Sequence, residues 1–312
     1  MRLVFAGTPE PAVVALQKLI DSEHEVVAVL TQPDARRGRG RTLHPSAVAE
    51  LAAQHGIEVL KPATLKADSE DGKAVRQRLQ ELAPDCLPVV AFGQLITKDL
   101  LEIAPHGWVN LHFSLLPAWR GAAPVQAAIR EGDQVTGATT FRIDEGLDTG
   151  VILSTLEEQI LPTDTADDLL ERLAYSGGDL LVETMTGLEN GSITPQPQVG
   201  EASYASKIST EDARIDWTQP AEVIDRHIRA HTPAPGAWTT LADARLKVAP
   251  VKLSGEAPVL EPGVISAGKS AVYVGTGTTA VEVVEIQPPG KKMMKAADWA
   301  RGVHLEQEAK FL

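Results

Sequence analysis

Residues 3–30 read LVFAGTPEPAVVALQKLIDSEHEVVAVL. Residues 3–6 are an apolar run of strand length that stops at Gly7-Thr8-Pro9, and residues 26–30 form a second run. Between the two runs, apolar residues recur at helical spacing: Val13, Leu16, Leu19 and Ile20. Strands that are apolar without alternation are typical of a parallel sheet covered on both faces. The stretch therefore predicts a β-α-β unit at the start of an α/β domain.

The rest of the chain extends this domain and then changes character. Residues 89–92 and 108–112 predict further strands of the same sheet, and Thr165 with Asp168 has capping-box spacing before an apolar helical stripe. Turn-rich sequence follows residue 190, then a helical segment near 221–230 and short apolar runs separated by Gly and Thr. We therefore predict a doubly wound, mostly parallel α/β domain at 1–190, a linker at 191–207 and a small β-barrel at 208–312.

Composition excludes several classes of protein. The 312 residues carry 29 Lys and Arg against 42 Asp and Glu, a formal charge of −13, and 43% are hydrophobic, which is ordinary globular usage. Cys86 is the one cysteine, so no internal disulfide can form. No apolar run approaches the ~18 residues of a membrane helix. We expect a cytoplasmic protein whose acidity opposes general binding of nucleic acid.

The most informative stretch is 110–124, NLHFSLLPAWRGAAP. In a strand, residues two apart share a face, so Asn110, His112 and Ser114 project together where the strand meets a loop. Ligands of open α/β sheets bind at the carboxyl ends of strands, and an amide beside an imidazole can hold a carbonyl oxygen while a proton moves. A strand end whose histidine is merely hydrogen-bonded fits the same pattern, and periodicity alone leaves both interpretations open.

A second candidate is Asp148, in the stretch DEGLDTG at 144–150. The flanking glycines allow a tight loop that approaches a ligand closely, where a carboxylate could orient an imidazole or order a water. An ordinary Asp in a turn is the other interpretation.

These motifs together resemble the 10-formyltetrahydrofolate-dependent formyltransferase family, and within it the branch that formylates methionyl-tRNA. The resemblance rests on FAGTP at 5–9, TQPD at 31–34, the N-x-H-x-SLLP-x-x-RG-x-x-P pattern at 110–124, GLDTG at 146–150 and ARIDW at 213–217. It implies a Rossmann-like catalytic domain and an OB-like barrel. Pro11, Pro88 and Phe113 depart from the commoner family pattern, so they put the local shape of the pocket in doubt.

The resemblance also implies roles for particular residues. Asn110, His112 and Asp148 correspond to the catalytic trio, with Asp148 keeping His112 charged, and Ser114, Leu115, Leu116 and Pro117 to the folate-contacting segment. The formyl donor would be 10-formyltetrahydrofolate, and the acceptor the α-amine of initiator methionyl-tRNA. The eight histidines are taken as scattered, so no metal is expected.

Two basic clusters are candidates for contact with RNA. The first holds Arg36, Arg37, Arg39 and Arg41, and the second holds Lys291, Lys292 and Lys295. Guanidinium groups suit phosphates and base stacking, and a small barrel can bind nucleic acid through one basic face. A charge run is also typical of a solvated loop. The resemblance implies that the arginine segment meets the acceptor end of the tRNA and that the second domain holds its stem.

Three rival functions remain at this point. A formyltransferase for an amino sugar or glycinamide ribonucleotide would share the polar trio but would not need the arginine cluster or the second domain. A dinucleotide-dependent oxidoreductase would need G-x-G-x-x-G spacing, which Gly7-Thr8-Pro9 lacks. A non-catalytic RNA-binding protein on this scaffold would not need the trio. We expect a monomer that binds no membrane.

Overall fold

A computed structural model describes residues 1–37, 42–253, 257–303, 305 and 309–312. The chain divides into two compact units, each built from several segments. Unit 1 comprises Met1–Pro124, Val135–Gln159 and Leu170–Tyr204. Unit 2 comprises Val125–Gln134, Ile160–Leu169 and Ala205–Leu312. Residues 191–204, which composition predicts as linker, therefore fall within unit 1.

The elements up to residue 205 follow one another in chain order. The strands are β1 (Arg2–Gly7), β2 (Glu25–Leu30), β3 (Ala35–Arg37), β4 (Thr42–His44), β5 (Glu58–Leu60), β6 (Leu87–Val90), β7 (Trp108–His112), β8 (Arg120–Gly121), β9 (Val135–Arg142), β10 (Ile152–Gln159) and β11 (Tyr204–Ala205). The helices are α1 (Glu10–Ile20), α2 (Ala47–Gln54), α3 (Glu70–Leu82), α4 (Lys98–Leu101), α5 (Pro124–Glu131) and α6 (Ala166–Glu189).

Unit 1 is organised around a seven-stranded sheet in the order β10-β9-β7-β6-β1-β2-β5. The pairs from β5 through β2, β1 and β6 to β7 are parallel, whereas β9 pairs antiparallel with β7 and β10 antiparallel with β9. Residues 3–6 of β1 are completely buried because helices cover a parallel sheet on both faces. The predicted mostly parallel α/β fold is confirmed.

Local sequence explains the ends of several elements. Helix α1 buries Ala12, Ala15, Leu16 and Leu19, the spacing of one helical face. The capping box at the start of α6 forms as predicted: the Thr165 amide donates to the Asp168 carboxylate (2.9 Å), and the Asp168 amide donates to the Thr165 hydroxyl (3.3 Å). Strand β6 tolerates Pro88 as its second residue and ends two residues earlier than predicted, because Ala91 adopts a positive φ of 47°.

The elements that follow the 3-10 helix Glu211–Ala213 all lie in unit 2. They are α7 (Ala221–Ala230), β12 (Trp238–Leu241), β13 (Ala244–Val248), β14 (Lys252–Leu253), β15 (Ile265–Ala267), β16 (Val272–Val274), β17 (Val281–Val283), β18 (Glu285–Gln287), β19 (Met294–Lys295) and α8 (Ala296–Gly302). The strands form two four-stranded antiparallel sheets, β12-β13-β18-β19 and β14-β17-β16-β15. This arrangement of short antiparallel strands agrees with the predicted small β-barrel, and α7 confirms the helical segment predicted near 221–230.

Both sheets of unit 2 share one apolar core with α7. In it, the rings of Trp217 and Trp299 stack on Phe311 with centroids 5.7 and 5.9 Å apart. The Trp217 indole donates to the buried Thr239 hydroxyl at 2.9 Å, so its polar atom is satisfied inside the core. Among the described helices of the whole chain, none is long and apolar enough to cross a bilayer.

Candidate active site

Strand β7 delivers two of the predicted site residues to one cavity in unit 1. Its first residue is anchored because the Trp108 indole donates to the Leu100 carbonyl at 2.7 Å. Asn110 and His112 lie two residues apart and so share a face of the strand. Asn110 is half-buried, and His112 is 6% exposed. Both line a cavity of about 780 Å³.

Four segments of unit 1 supply the described walls of this cavity. They are the end of β6 with the loop after it, the end of β7, the stretch after β8, and the loop from β9 to β10 that carries Asp148. Asn110, His112 and Asp148 therefore line the same cavity, which is what the predicted site requires. The exposed side chains of Leu95 and Leu147, 85% and 59% exposed, also line it.

The His112 imidazole is held on both sides. Its Nε2 lies 2.9 Å from the Trp119 carbonyl, and because a carbonyl only accepts, Nε2 carries the proton and donates. Its Nδ1 lies 3.8 Å from Oδ2 of Asp148. A proton that reaches Nδ1 therefore meets a carboxylate within a few ångströms.

Burial decides the resting charge of His112. It lowers the pKa of the imidazole below its ordinary value, and the Asp148 carboxylate and the Trp119 carbonyl, which both raise the pKa, offset only part of this effect. The expectation that Asp148 keeps His112 charged is corrected here, because desolvation outweighs the attraction of the carboxylate. At neutral pH the ring is a neutral acceptor at Nδ1.

Asp148 is held in an unusual backbone conformation. It has a positive φ of 52°, and its Oδ2 accepts a hydrogen bond from the Gly121 amide at 2.7 Å. Two residues further on, Gly150 leaves no room for a side chain, because a Cβ there would lie 1.7 Å from the Arg142 carbonyl oxygen. The glycine is thus required by close approach of the chain, and the loop fixes where the carboxylate points.

The predicted folate-contacting segment lies beside the cavity. The Ser114 hydroxyl donates to the Ala118 carbonyl at 2.6 Å, and the Leu116 amide donates to the Thr139 hydroxyl at 3.2 Å. Leu116–Pro117 is a cis peptide, and Leu115 packs against Gly137. None of the residues 114–117 is among the described residues that line the cavity. Their role in folate binding stays a prediction.

Gln198 and Arg120 contribute to the site without having been predicted as site residues. Nε2 of Gln198 donates to the carbonyls of Asp148 and Gly150 at 2.7 and 2.9 Å, and its Oε1 accepts from Nη2 and Nε of Arg120 at 2.6 and 3.2 Å. Arg120 belongs to the motif at 110–124. Nothing in the local sequence marks Gln198, which lies 50 residues beyond Asp148 in turn-rich sequence.

Four described side chains of the two basic clusters are exposed: Arg36, Lys291, Lys292 and Lys295. Arg36 and Arg37 lie on β3, which pairs with β4 in an antiparallel hairpin, and Arg36 is exposed. Arg39 and Arg41 lie outside the described residues. Lys291 and Lys292 are exposed between β18 and β19, and Lys295 is exposed at the end of β19. These positions suit contact with a polyanion, and the assignment of RNA binding to them stays a prediction.

Unit 2 holds a histidine pair that the sequence reading passed over. His227 and His231 are four residues apart at the end of α7, and their ring centroids are 4.3 Å apart. Nδ1 of His231 donates to the His227 carbonyl at 2.7 Å, whereas the buried Nε2 atoms of both rings have no partner among the described residues. The view of the histidines as scattered is therefore wrong. Across the described residues, no three His, Cys, Asp or Glu side chains are grouped to share a metal ion.

Comparisons with known proteins agree on one family. The formyl transferase family matches residues 1–185, and the family of the formyl transferase C-terminal domain matches residues 207–304. The methionyl-tRNA formyltransferase of Corynebacterium glutamicum (strain R) is 82% identical over 314 residues and covers 100% of both chains. That of Corynebacterium diphtheriae is 67% identical over 303 residues and 97% of both chains.

A solved structure has the same fold. The methionyl-tRNA formyltransferase of Clostridium thermocellum superposes with a TM-score of 0.56 at 17% identity, covering 82% of this chain and 95% of that one. The family models together match most of the chain, and the Corynebacterium relatives match it from end to end. The chain therefore belongs to the formyl transferase family, among the methionyl-tRNA formyltransferases.

Proposed function

We propose that this protein transfers the formyl group of 10-formyltetrahydrofolate to the α-amino group of methionyl initiator tRNA. The observation that carries the proposal is the 82% identity over both full chains to a protein named for this activity. Two proteins that share 82% of their residues over their full lengths are expected to use the same two substrates. The geometry around His112 supports the chemistry independently.

The cavity suits a large, partly aromatic donor such as a formyl-folate. Its volume of about 780 Å³ lies within the range of small-molecule sites. Leu95 and Leu147 present apolar side chains to solvent at its walls, which is typical of a surface that a ligand covers. Ala91 and Gly93, both at positive φ, turn the backbone along one wall, where amide and carbonyl groups can read the polar edge of a ring.

The polar residues at the cavity can carry out the transfer. The amine nitrogen of the aminoacyl group bonds to the formyl carbon, and the bond from that carbon to N10 of the folate breaks. Asn110 donates from its amide to the formyl oxygen as negative charge develops there. His112 takes the proton that the amine loses at Nδ1, and the leaving nitrogen receives that proton in turn.

Asp148 makes this proton transfer favourable. The resting imidazole is neutral because burial lowers its pKa, so Nδ1 is ready to accept a proton. Once the ring is charged, the Asp148 carboxylate 3.8 Å away stabilises it. The charged ring adds a second source of stabilisation for the developing oxyanion.

The tRNA needs positive surface on a chain of net charge −13. The hairpin of β3 and β4 carries Arg36 and Arg37 and leads into Arg39 and Arg41, and we assign it to the acceptor end. Lys291, Lys292 and Lys295 of unit 2 are assigned to the stem. Overall acidity discourages unrelated RNA, so the two patches can select the right one. We expect the protein to act as a monomer in the cytoplasm.

The test is transfer of a labelled formyl group from 10-formyltetrahydrofolate to methionyl initiator tRNA. Methionyl elongator tRNA, an amino-sugar nucleotide and glycinamide ribonucleotide serve as alternative acceptors. Selective transfer to the initiator tRNA supports the proposal. Equal transfer to both tRNAs refutes the initiator specificity, and transfer only to a small amine identifies the rival formyltransferase activity. Folate binding without transfer to any acceptor refutes catalysis.

A further inference from the structure

We propose that Gln198 is a positioning residue for the formyl transfer, acting by holding the loop of Asp148 in its working conformation. This inference rests on the proposed function, since it concerns the same site. A residue of the predicted linker at 191–207 would then influence the reaction by positioning another side chain. The residue touches neither the reacting atoms nor the His112 ring, and its effect passes through Asp148.

The Gln198 amide is fully engaged. Both hydrogens of Nε2 are donated to backbone carbonyls of the loop, one at Asp148 (2.7 Å) and one at Gly150 (2.9 Å). Oε1 accepts from two nitrogens of Arg120, at 2.6 and 3.2 Å. One side chain therefore satisfies two carbonyls of a tight loop and one guanidinium at the same time.

The loop needs such support because its backbone is strained. A non-glycine residue at a φ of 52° persists when its surroundings over-determine that conformation. Two contacts fix Asp148 in this way: its carbonyl is held by Gln198, and its carboxylate accepts from the Gly121 amide at 2.7 Å. Gly121 follows Arg120 in the chain, so the four residues close a ring of interactions around the carboxylate.

The consequence reaches His112. Asp148 raises the pKa of this imidazole and lies 3.8 Å from Nδ1. If the loop relaxes, the carboxylate moves away from the ring, and the charged imidazole loses its stabilising partner. Loss of Gln198 should therefore lower the pKa of His112 further and slow the chemical step, while the apolar walls of the cavity stay intact.

Two substitutions separate this role from alternatives. Gln198→Ala removes both functions of the amide. Gln198→Glu keeps the size and strengthens the pairing with Arg120, but it offers no hydrogen to the two carbonyls. If Gln198 served only to pair with Arg120, the glutamate variant would be as active as the parent protein. A positioning role predicts that both variants are impaired.

Gln196→Ala provides a matched control. Gln196 is the same residue type two positions earlier, and its exposed side chain donates to the Thr194 carbonyl at 3.3 Å, away from the Asp148 loop. Its backbone contacts with Ile152, at 2.7 and 2.8 Å, are unaffected by removal of the side chain. The control therefore keeps the path of the chain and leaves the loop contacts in place.

The experiment measures steady-state formyl transfer and the His112 titration in the full chain. Histidine ring proton resonances are followed by NMR against pH, and the His112 signal is identified by its loss in His112→Ala. We expect Gln198→Ala and Gln198→Glu to lower kcat by about tenfold or more with KM for the folate within about twofold. We also expect the His112 pKa to fall in Gln198→Ala and Gln196→Ala to match the parent.

Parental kcat in either Gln198 variant, or an unmoved His112 pKa in Gln198→Ala, overturns the inference. If Gln198→Ala does not fold, Gln198→Glu carries the kinetic test, and parental activity there overturns it. The NMR measurement needs no acceptor, so it remains informative if the protein formylates another amine. A parent protein without any transferase activity refutes the proposed function. In that case a His112 pKa that still depends on Gln198 shows separately that Gln198 positions the Asp148 loop.

Discussion

The buried histidines of unit 2 predict a specific loss of stability in acid. Burial, and to a lesser extent the neighbouring His231, lowers the pKa of His227 from its ordinary 6.5 to about 4. Burial also lowers the pKa of His231. A histidine whose pKa is lower in the folded state binds its proton more readily when unfolded, so stability falls as pH drops through this window.

The magnitude follows from the difference between the two pKa values. For His227, the difference between a pKa of 6.5 in the unfolded chain and about 4 in the folded one corresponds to roughly 3.4 kcal/mol when the pH is below both values. Between about pH 7.5 and pH 5, this residue alone should remove about 2 kcal/mol. His231 acts in the same direction. The loss reaches its full value only below about pH 4, once the folded-state His227 is itself protonated.

Urea unfolding followed by tryptophan fluorescence measures this effect. Trp217, Trp238 and Trp299 lie in unit 2 and report on its core. His227→Gln removes the titrating group and is the comparison, since the carboxylates that titrate in both proteins cancel in the difference. We expect the parent protein to lose about 2 kcal/mol more than the variant between about pH 7.5 and pH 5. Equal losses in both proteins would show that His227 is solvated in the native state, and the reasoning from burial would be wrong.

Three substitutions test the catalytic and RNA-binding assignments. His112→Ala should lower kcat on the order of a hundredfold or more with folate affinity nearly unchanged, measured by transfer kinetics and folate titration; weaker binding at parental kcat would make it a binding residue. Asp148→Asn should be severely impaired because the amide cannot stabilise a charged imidazole, and activity within about threefold of the parent would reduce its role to shaping the loop. Arg39→Ala should raise KM for methionyl-tRNA about tenfold or more while folate affinity stays unchanged, with Arg39→Lys recovering part of the loss; parental kinetics in Arg39→Ala would refute the assignment of tRNA recognition to residues 36–41.

Local sequence was sufficient for the elements whose burial is continuous or strictly periodic. Strand β7 was predicted with its observed bounds, Trp108–His112. The capping box of α6 was predicted because Thr165 and Asp168 satisfy each other's amides within one turn. The two antiparallel strands at one end of the sheet, β9 and β10, were not predicted individually. In β10, burial alternates with exposure along an edge of the sheet, and this signal is weaker than that of a fully buried strand.

The candidate site was predictable in its residues and not in its electrostatics. The motif resemblance grouped Asn110, His112 and Asp148 as one predicted site, and all three line one cavity. The resting charge of His112 depends on how completely the fold removes water from the ring, which residue order does not encode. The contact between Gln198 and Asp148 spans 50 residues and has no local pattern. The histidine pair does have a local signal, because His227 and His231 are four residues apart and so adjoin on one face of a helix.

The path of the chain between residues 193 and 204 has a consequence for recombination between related enzymes. Gln196 exchanges backbone hydrogen bonds with Ile152, and Ser203 accepts from the amides of Trp119 and Arg120 through its hydroxyl and carbonyl. A chimera that exchanges the chain from residue 191 onward replaces residues 193–204. It thereby also replaces Gln198, whose amide donates to the Asp148 loop. A crossover placed at residue 205 keeps both with the loop they support. Splice points chosen by turn-rich composition would thus exchange the residues that contact the Asp148 loop, whereas splice points chosen by hydrogen bonding would keep those residues with the loop.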